Sequence, residues 1–174
     1  MFILPILFSF INLTAPLLLY IIFISETHGV LTSSILYIWS IAVSSINEDR
    51  VSFEMEKIPG IQASNIEKMD QKLLEEIAES VSKLHERDII HGDLTLNNMI
   101  IHDKTLYILD PSMGKISKTV TDKAYDIRLL KESMISIYGS EPYDIFEEIY
   151  RKMSETSNEV INVLHDIEKR RRYA

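Results

Sequence analysis

The stretch that decides the fold is Ile90-His-Gly-Asp-Leu-Thr-Leu-Asn-Asn-Met99, followed by Ile100-Ile-His-Asp-Lys-Thr-Leu-Tyr-Ile-Leu109 and Asp110-Pro-Ser112. Two short apolar runs flank Asp103-Lys104. A tight turn at those two residues pairs the runs antiparallel, with position 98 opposite 109. Asn98 and Asp110 then meet at the open end of a hairpin. Asp93, five residues before Asn98, lies in the loop that enters the same end. Three oxygen-bearing side chains, none adjacent in sequence, are thereby brought together. Magnesium favours hard oxygen ligands and shares itself with substrate phosphates. A carboxylate beside it can accept the proton of an attacking hydroxyl or orient a water. Asp93 suits that proton-accepting task, and Asn98 and Asp110 suit the metal. Asp and Asn are also common turn residues. An ordinary turn, however, does not require the helix, loop, hairpin and Leu-Asp to follow one another in this order and at these lengths.

Upstream, Leu73, Leu74, Ile77, Val81 and Leu84 recur at three- and four-residue steps with Glu75, Glu76, Glu79 and Lys83 between them. This pattern predicts an amphipathic helix of about 17 residues from Asp70, its N-cap, that delivers the chain to His91. His85, near the apolar edge, reads as a packing or surface histidine rather than a ligand, because no second ligand stands at metal spacing. Further back, Ile35 to Val43 and Arg50 to Ile58 read as strands joined by a polar turn over Ser44 to Asp49. Pro59-Gly60 ends the second strand, and a short helical piece is expected over Ala63 to Met69.

The first 25 residues carry no charge and are rich in Phe, Ile and Leu. As a helix they would span about 37 Å, enough for a bilayer core of roughly 30 Å. Pro5, Asn12 and Pro16 interrupt the segment, and no Lys or Arg precedes it. A membrane segment and a misassigned start are both open readings of residues 1–27.

Downstream, Ala124, Ile127, Leu130, Met134 and Ile137 predict a helix from about Thr121 to Tyr138. Pro142 opens another, with Tyr143, Phe146, Ile149, Tyr150 and Met153 on one stripe. Val160, Val163, Leu164 and Ile167 mark a last helix, which ends in Lys169-Arg-Arg-Arg172. Those four cations suit a solvated helix C-terminus and equally a local RNA contact.

The 174 residues suffice for one ordinary domain, with 46% hydrophobic and 25% charged residues. A net charge of -8 argues against a surface broadly coated by nucleic acid. The absence of cysteine excludes disulfides, thiolate catalysis and cysteine-rich zinc sites, and fits an intracellular protein.

Ile89 to Met99, Ile-Ile-His-Gly-Asp-Leu-Thr-Leu-Asn-Asn-Met, resembles the signature of the Bud-type atypical protein kinase/ATPase, the kinase-like subunit of the KEOPS (EKC) complex that makes threonylcarbamoyladenosine in tRNA. Gly92 and Thr95 stand where ordinary kinases carry Arg and Lys. Gly29 to Ile38 resembles the segment before that family's hinge, Val51 to Gly60 its hinge strand, and Asp122-Lys-Ala-Tyr-Asp126 its Asp-Lys-Ala-x-Asp. The resemblance covers about His28 to Arg172.

It implies an α+β, protein-kinase-like fold over residues 28–174, essentially a C-lobe with hinge and a few N-lobe strands, mostly antiparallel, and about five helices. It implies ATP and Mg²⁺ as cofactors, Asp93 as base, and Asn98 and Asp110 as metal ligands. Met55 would be the gatekeeper, with Glu56 and Ile58 offering backbone groups to adenine. His91 and Asp126 would support the catalytic loop, Asp126 by accepting its backbone N–H groups. The implied partners are KEOPS/EKC subunits, above all the threonylcarbamoyl-transferase subunit, and tRNA through Lys169, Arg170, Arg171 and Arg172. The implied location is cytoplasmic and also nuclear.

Two departures bear on activity. The family's Asp-Phe-Gly is Asp110-Pro111-Ser112 here, and residues 1–27 supply neither a glycine-rich phosphate loop nor a strand lysine. A kinase-like lobe that serves as an interaction scaffold is therefore the alternative.

Overall fold

The computed structural model describes residues 43–47, 52–55, 57–111 and 113–172. Residues 1–27, with the anchor reading placed on them, and the expected strand over 35–42 lie outside these. Among the described residues no helix is long and apolar enough to cross a membrane.

The chain forms an α+β fold of three small antiparallel sheets and four α-helices among the described residues. Strand β1 (Val43–Asn47) pairs with β2 (Ser52–Met55), with a register break between Val43 and Ser45. This corrects the polar turn expected from Ser44. Ser44 to Asn47 is strand, because its backbone groups are taken up by the ladder to Ser52–Met55, and backbone pairing does not require apolar side chains.

Strand β3 (Ile61–Gln62) leads into one 3₁₀ turn, Ala63–Asn65, in place of the longer helical piece expected to Met69. Ile66 is extended, and the Tyr138 hydroxyl donates to the carbonyl oxygens of Ala63 and Ile66, both at 2.8 Å. Carbonyls tied to that hydroxyl mark the end of the turn.

Helix α1 (Gln71–Glu86) starts at Asp70, whose carboxylate accepts the Leu73 amide at 2.8 Å. It buries Leu74, Ile77, Ala78, Val81, Leu84 and His85, each large aliphatic contributing roughly 1.5–3 kcal/mol on burial. Asp88, at φ 60°, turns the chain into β4 (Ile89–Ile90). After a 3₁₀ turn at Leu96–Asn98, β5 (Met99–His102) and β6 (Thr105–Ile108) form the expected hairpin, Met99 opposite Ile108 and His102 opposite Thr105. The Leu109 amide continues the ladder to the Asn98 carbonyl at 2.8 Å. Asp103 and Lys104 both have positive φ, 49° and 63°, the conformation of a two-residue type I′ turn.

Strand β7 (Lys115–Ile116) pairs with β4. Three helices complete the domain: α2 (Val120–Tyr138), α3 (Ser140–Arg151) and α4 (Glu155–Arg172). Helix α2 packs against α3 and α4, and α1 against α3. Tyr143, Phe146 and Tyr150 fill the centre, the last two stacked with centroids 5.6 Å apart.

Candidate active site

The loop from His91 to Asn98 is built on a carboxylate from α2. Asp126, fully buried, accepts the His91 amide on Oδ2 at 2.6 Å and the Gly92 amide on Oδ1 at 2.8 Å. Two backbone donors that leave the β4 strand are thereby satisfied inside the protein, where an orphaned donor costs about 1–3 kcal/mol. The side chain of Asp126 faces the loop rather than solvent.

His91 ties the loop to the strand that carries Asp110. Its Nε2 donates to the Leu109 carbonyl at 2.8 Å, and its Nδ1 accepts the Asp93 amide at 3.3 Å. A carbonyl can only accept, so the imidazole is the Nε2–H tautomer, which leaves Nδ1 the acceptor that the Asp93 amide needs. Asn98 closes the loop from the other side. Its Nδ2 donates to the Asp93 carbonyl and to Asp93 Oδ2, both at 2.9 Å.

The structure thus brings Asp93 and Asn98 into direct contact and sets Asp110 one residue beyond the Asn98–Leu109 pairing. Asp110 is exposed and adopts φ 58°, a left-handed conformation that Asp tolerates better than most residues. Among the described residues no donor reaches Asn98 Oδ1 or the Asp110 carboxylate. Hard oxygens of this kind suit Mg²⁺, which shares itself with phosphate and water. Among the described residues no group of three or more His, Asp or Glu side chains could hold a metal. Of the three residues expected at adenine, Ile58 is half-buried, whereas Glu56 and the side chain of Met55 lie outside the described residues.

Gly92 explains its own identity. It has φ 82°, and a Cβ there would collide with the backbone carbonyl of Met113. The segment after Asp110 therefore rests directly on the loop. It is held there by β4–β7 pairing, by the Ser117 amide on the Asp88 carbonyl at 2.7 Å, and by the buried Lys123 ammonium on Asp88 Oδ1 at 2.9 Å.

Asp122, also on the first turns of α2, collects Ser117, Lys115 and Thr119. These hydrogen bonds, with Ser117 the largest cause, hold its carboxyl down to about 2. Each acidic or basic member of Asp122-Lys-Ala-Tyr-Asp126 thus serves a different neighbour. The resemblance had marked the motif without assigning Asp122 and Lys123 these tasks.

A RIO domain family model matches residues 46–126. The chain is also 33% identical to a protein of Methanococcus maripaludis named as a probable bifunctional tRNA threonylcarbamoyladenosine biosynthesis protein, over 143 residues that make up 78% of this chain and 25% of that protein. Proteins of the same name from Methanocaldococcus jannaschii and Thermoplasma acidophilum are 33% and 32% identical over 75% and 71% of the chain. The chain is thus similar to RIO-domain proteins over just under half of its length. It spans about a quarter of the length of these curated relatives. The RIO-type match ends at Asp126, so it covers the loop, the hairpin and the carboxylate that anchors the loop.

His85 is the residue whose part the sequence pattern understated. It is buried rather than on the surface, its Nδ1 2.7 Å from the Tyr150 hydroxyl and its Nε2 3.4 Å from Asp126 Oδ2. The signal was present in the periodicity: Ala78, Val81, Ser82 and His85 fall on one helical stripe, and all four are buried.

Proposed function

We propose that this RIO-type domain binds ATP with Mg²⁺ and acts as a serine/threonine kinase-like ATPase that supports threonylcarbamoyladenosine modification of tRNA within a KEOPS/EKC-type complex. The observation that carries the reading is the Asp93–Asn98 contact in a loop anchored by Asp126. Asn98 donates its amide hydrogens to Asp93 and keeps Oδ1 for a cation, so one residue orients the base and offers a ligand to the metal.

Asn98 and Asp110 would hold Mg²⁺, which when bound would neutralise phosphate charge. Asp93 would accept the proton of a Ser/Thr hydroxyl or orient a water. Met55, Glu56 and Ile58 would meet adenine. The names of the relatives support the tRNA pathway, and the partner proposed is the threonylcarbamoyl-transferase subunit. Lys169 and Arg170 are exposed at the end of α4, which supports a tRNA contact by Lys169, Arg170, Arg171 and Arg172. The proposed location is cytoplasmic and also nuclear, with residues 1–27 a separate N-terminal segment and 28–174 a partial kinase-like domain.

A second reading, an interaction scaffold with impaired turnover, is favoured by the apolar surface beside the loop, where Met113, Ile116 and Tyr125 are 71%, 75% and 48% exposed. Titration of the full chain with ATP, with and without Mg²⁺, separates the two. Magnesium-dependent affinity lost in Asp110→Ala supports the enzyme, and no binding at millimolar ATP supports the scaffold.

A further inference from the structure

Helix α2 holds the candidate catalytic loop at a second point, away from Asp126. The Leu96 amide donates to the Ser133 hydroxyl oxygen at 3.0 Å, across 37 residues of sequence. Asp126, Leu130 and Ser133 follow one another on one stripe of α2. The two holding points therefore stand roughly 10 Å apart along the helix. Asp126 takes the His91 and Gly92 amides, where the loop begins. Ser133 takes the amide that opens the 3₁₀ turn Leu96–Asn98.

That amide needs a partner from outside the turn. The first donors of a helical turn have no carbonyl within it to receive them, and the residue ahead commonly caps them with its side chain. Thr95 stands in that place and its side chain makes no such bond. Leu94 and Leu96, on either side of it, are fully buried. The cap comes from α2 instead. On helix propensity alone Ala would serve α2 better than Ser at position 133, so the hydroxyl is accounted for by the loop and not by the helix.

The place of the cap bears on the chemistry because the backbone from Asp93 to Asn98 is closed into a ring. Asn98 Nδ2 donates to the carbonyl and Oδ2 of Asp93, and the Asn98 amide donates to the Thr95 carbonyl at 3.0 Å. Leu96 lies between the two ends of that ring, and Ser133 ties it to the helical core. On the other side of the turn, Gln62 Nε2 donates to the Asn97 carbonyl at 3.1 Å. That contact is exposed, where water competes on nearly equal terms, whereas the Ser133 bond is partly buried.

We propose that Ser133 is a positioning residue for the candidate active site: its hydroxyl caps the 3₁₀ turn at Leu96 and so sets the aim of the Asn98 side chain at Asp93. The inference rests on the proposed role of Asn98 at Mg²⁺ only for its functional meaning; the geometry is tested without nucleotide.

The test is NMR on the full chain. It follows amide hydrogen exchange at Leu96 and the side-chain amide signals of Asn98. The His91 and Gly92 amides report on the Asp126 contacts, and the Leu130 amide reports on α2. Ser133→Ala is expected to speed exchange at Leu96 about tenfold while His91, Gly92 and Leu130 stay within about twofold of the parent. It should also move the two Asn98 side-chain amide hydrogens toward the shifts of a solvent-exposed Asn, which a Ser133 that only supports α2 would not do. Ser133→Thr keeps a hydroxyl and should return Leu96 to within about threefold of the parent and restore the Asn98 signals. Unchanged Leu96 exchange or unmoved Asn98 side-chain signals in Ser133→Ala would overturn the proposal. So would equal acceleration at all four amides, or a Thr variant that behaves as the Ala variant does. Absence of ATP binding would refute the proposed function and leave this measurement unaffected.

Discussion

The Oδ1 of Asp126 accepts the amide hydrogen of Gly92 at 2.8 Å, across 34 residues of sequence. One carboxylate thereby fixes where β4 ends and the loop carrying Asp93 begins. Replacement by Asn keeps the shape but converts one acceptor oxygen into a donor that faces a backbone N–H. We expect Asp126→Asn to lower stability by about 1–3 kcal/mol and to weaken magnesium-dependent nucleotide binding more than the stability loss accounts for. Urea unfolding and nucleotide titration on the same preparation check this. Unchanged binding in a folded variant would remove Asp126 from the support of the site.

Gly92 stands in a left-handed conformation with the Met113 carbonyl pressed against the place where a Cβ would sit. Alanine there carries a backbone cost of about 1–2 kcal/mol and must also displace the segment after Asp110. Gly92→Ala is expected to destabilise by at least about 2 kcal/mol in thermal unfolding. By comparison, Gly139→Ala meets no atom within 4 Å and carries only the backbone cost of its own positive-φ conformation, φ 81° and ψ −175°. If the two variants lose equal stability, the Met113 contact contributes nothing.

The Asp103–Lys104 turn shows how far local chemistry reads directly from sequence. Two residues between apolar runs were enough to predict the register that the hairpin adopts, yet neither is the glycine that a type I′ turn prefers. Lys104→Gly relieves a φ of 63° and is expected to raise stability by about 0.5–1 kcal/mol. A shift in urea midpoint with unchanged slope would be the result; a loss of stability would mean that the Lys104 side chain contributes contacts beyond the turn.

Helix α1 and its Asp70 cap were legible for the same reason as the hairpin: periodicity and capping act within a few residues. The β4–β7 pairing was not. Ile89–Ile90 and Lys115–Ile116 are each two residues long, too short to show alternation, and they meet only because the loop between them is folded on Asp126. Ser44 to Asn47 misled for a related reason, since a polar strand looks like a turn until its partner is known. His85 read as a packing or surface histidine, and of the two the structure shows the buried one. What single-sequence spacing could not show is that its two ring nitrogens join residues 41 and 65 positions away.

Burial pushes the His85 imidazole below the ordinary histidine value of 6.5, against the opposing pull of its hydrogen bond to Asp126, with Lys123 also acting to lower it. The folded protein therefore holds His85 neutral, whereas the unfolded chain takes up a proton there as pH falls through 6.5. Protons bound preferentially by the unfolded state destabilise the fold, so this contribution is fully present above 6.5 and is lost at lower pH, with a slope of up to about 1.4 kcal/mol per pH unit until the folded form itself protonates. His85→Gln carries no such proton. The stability difference between parent and His85→Gln, from urea unfolding at a series of pH values, should accordingly be constant above pH 7 and shrink on acidification, because only the parent loses this term. The four other histidines are common to both proteins and cancel in the difference. A pH-independent difference between about pH 7 and 5 would show that the folded protein admits a proton at His85 as readily as the unfolded chain does.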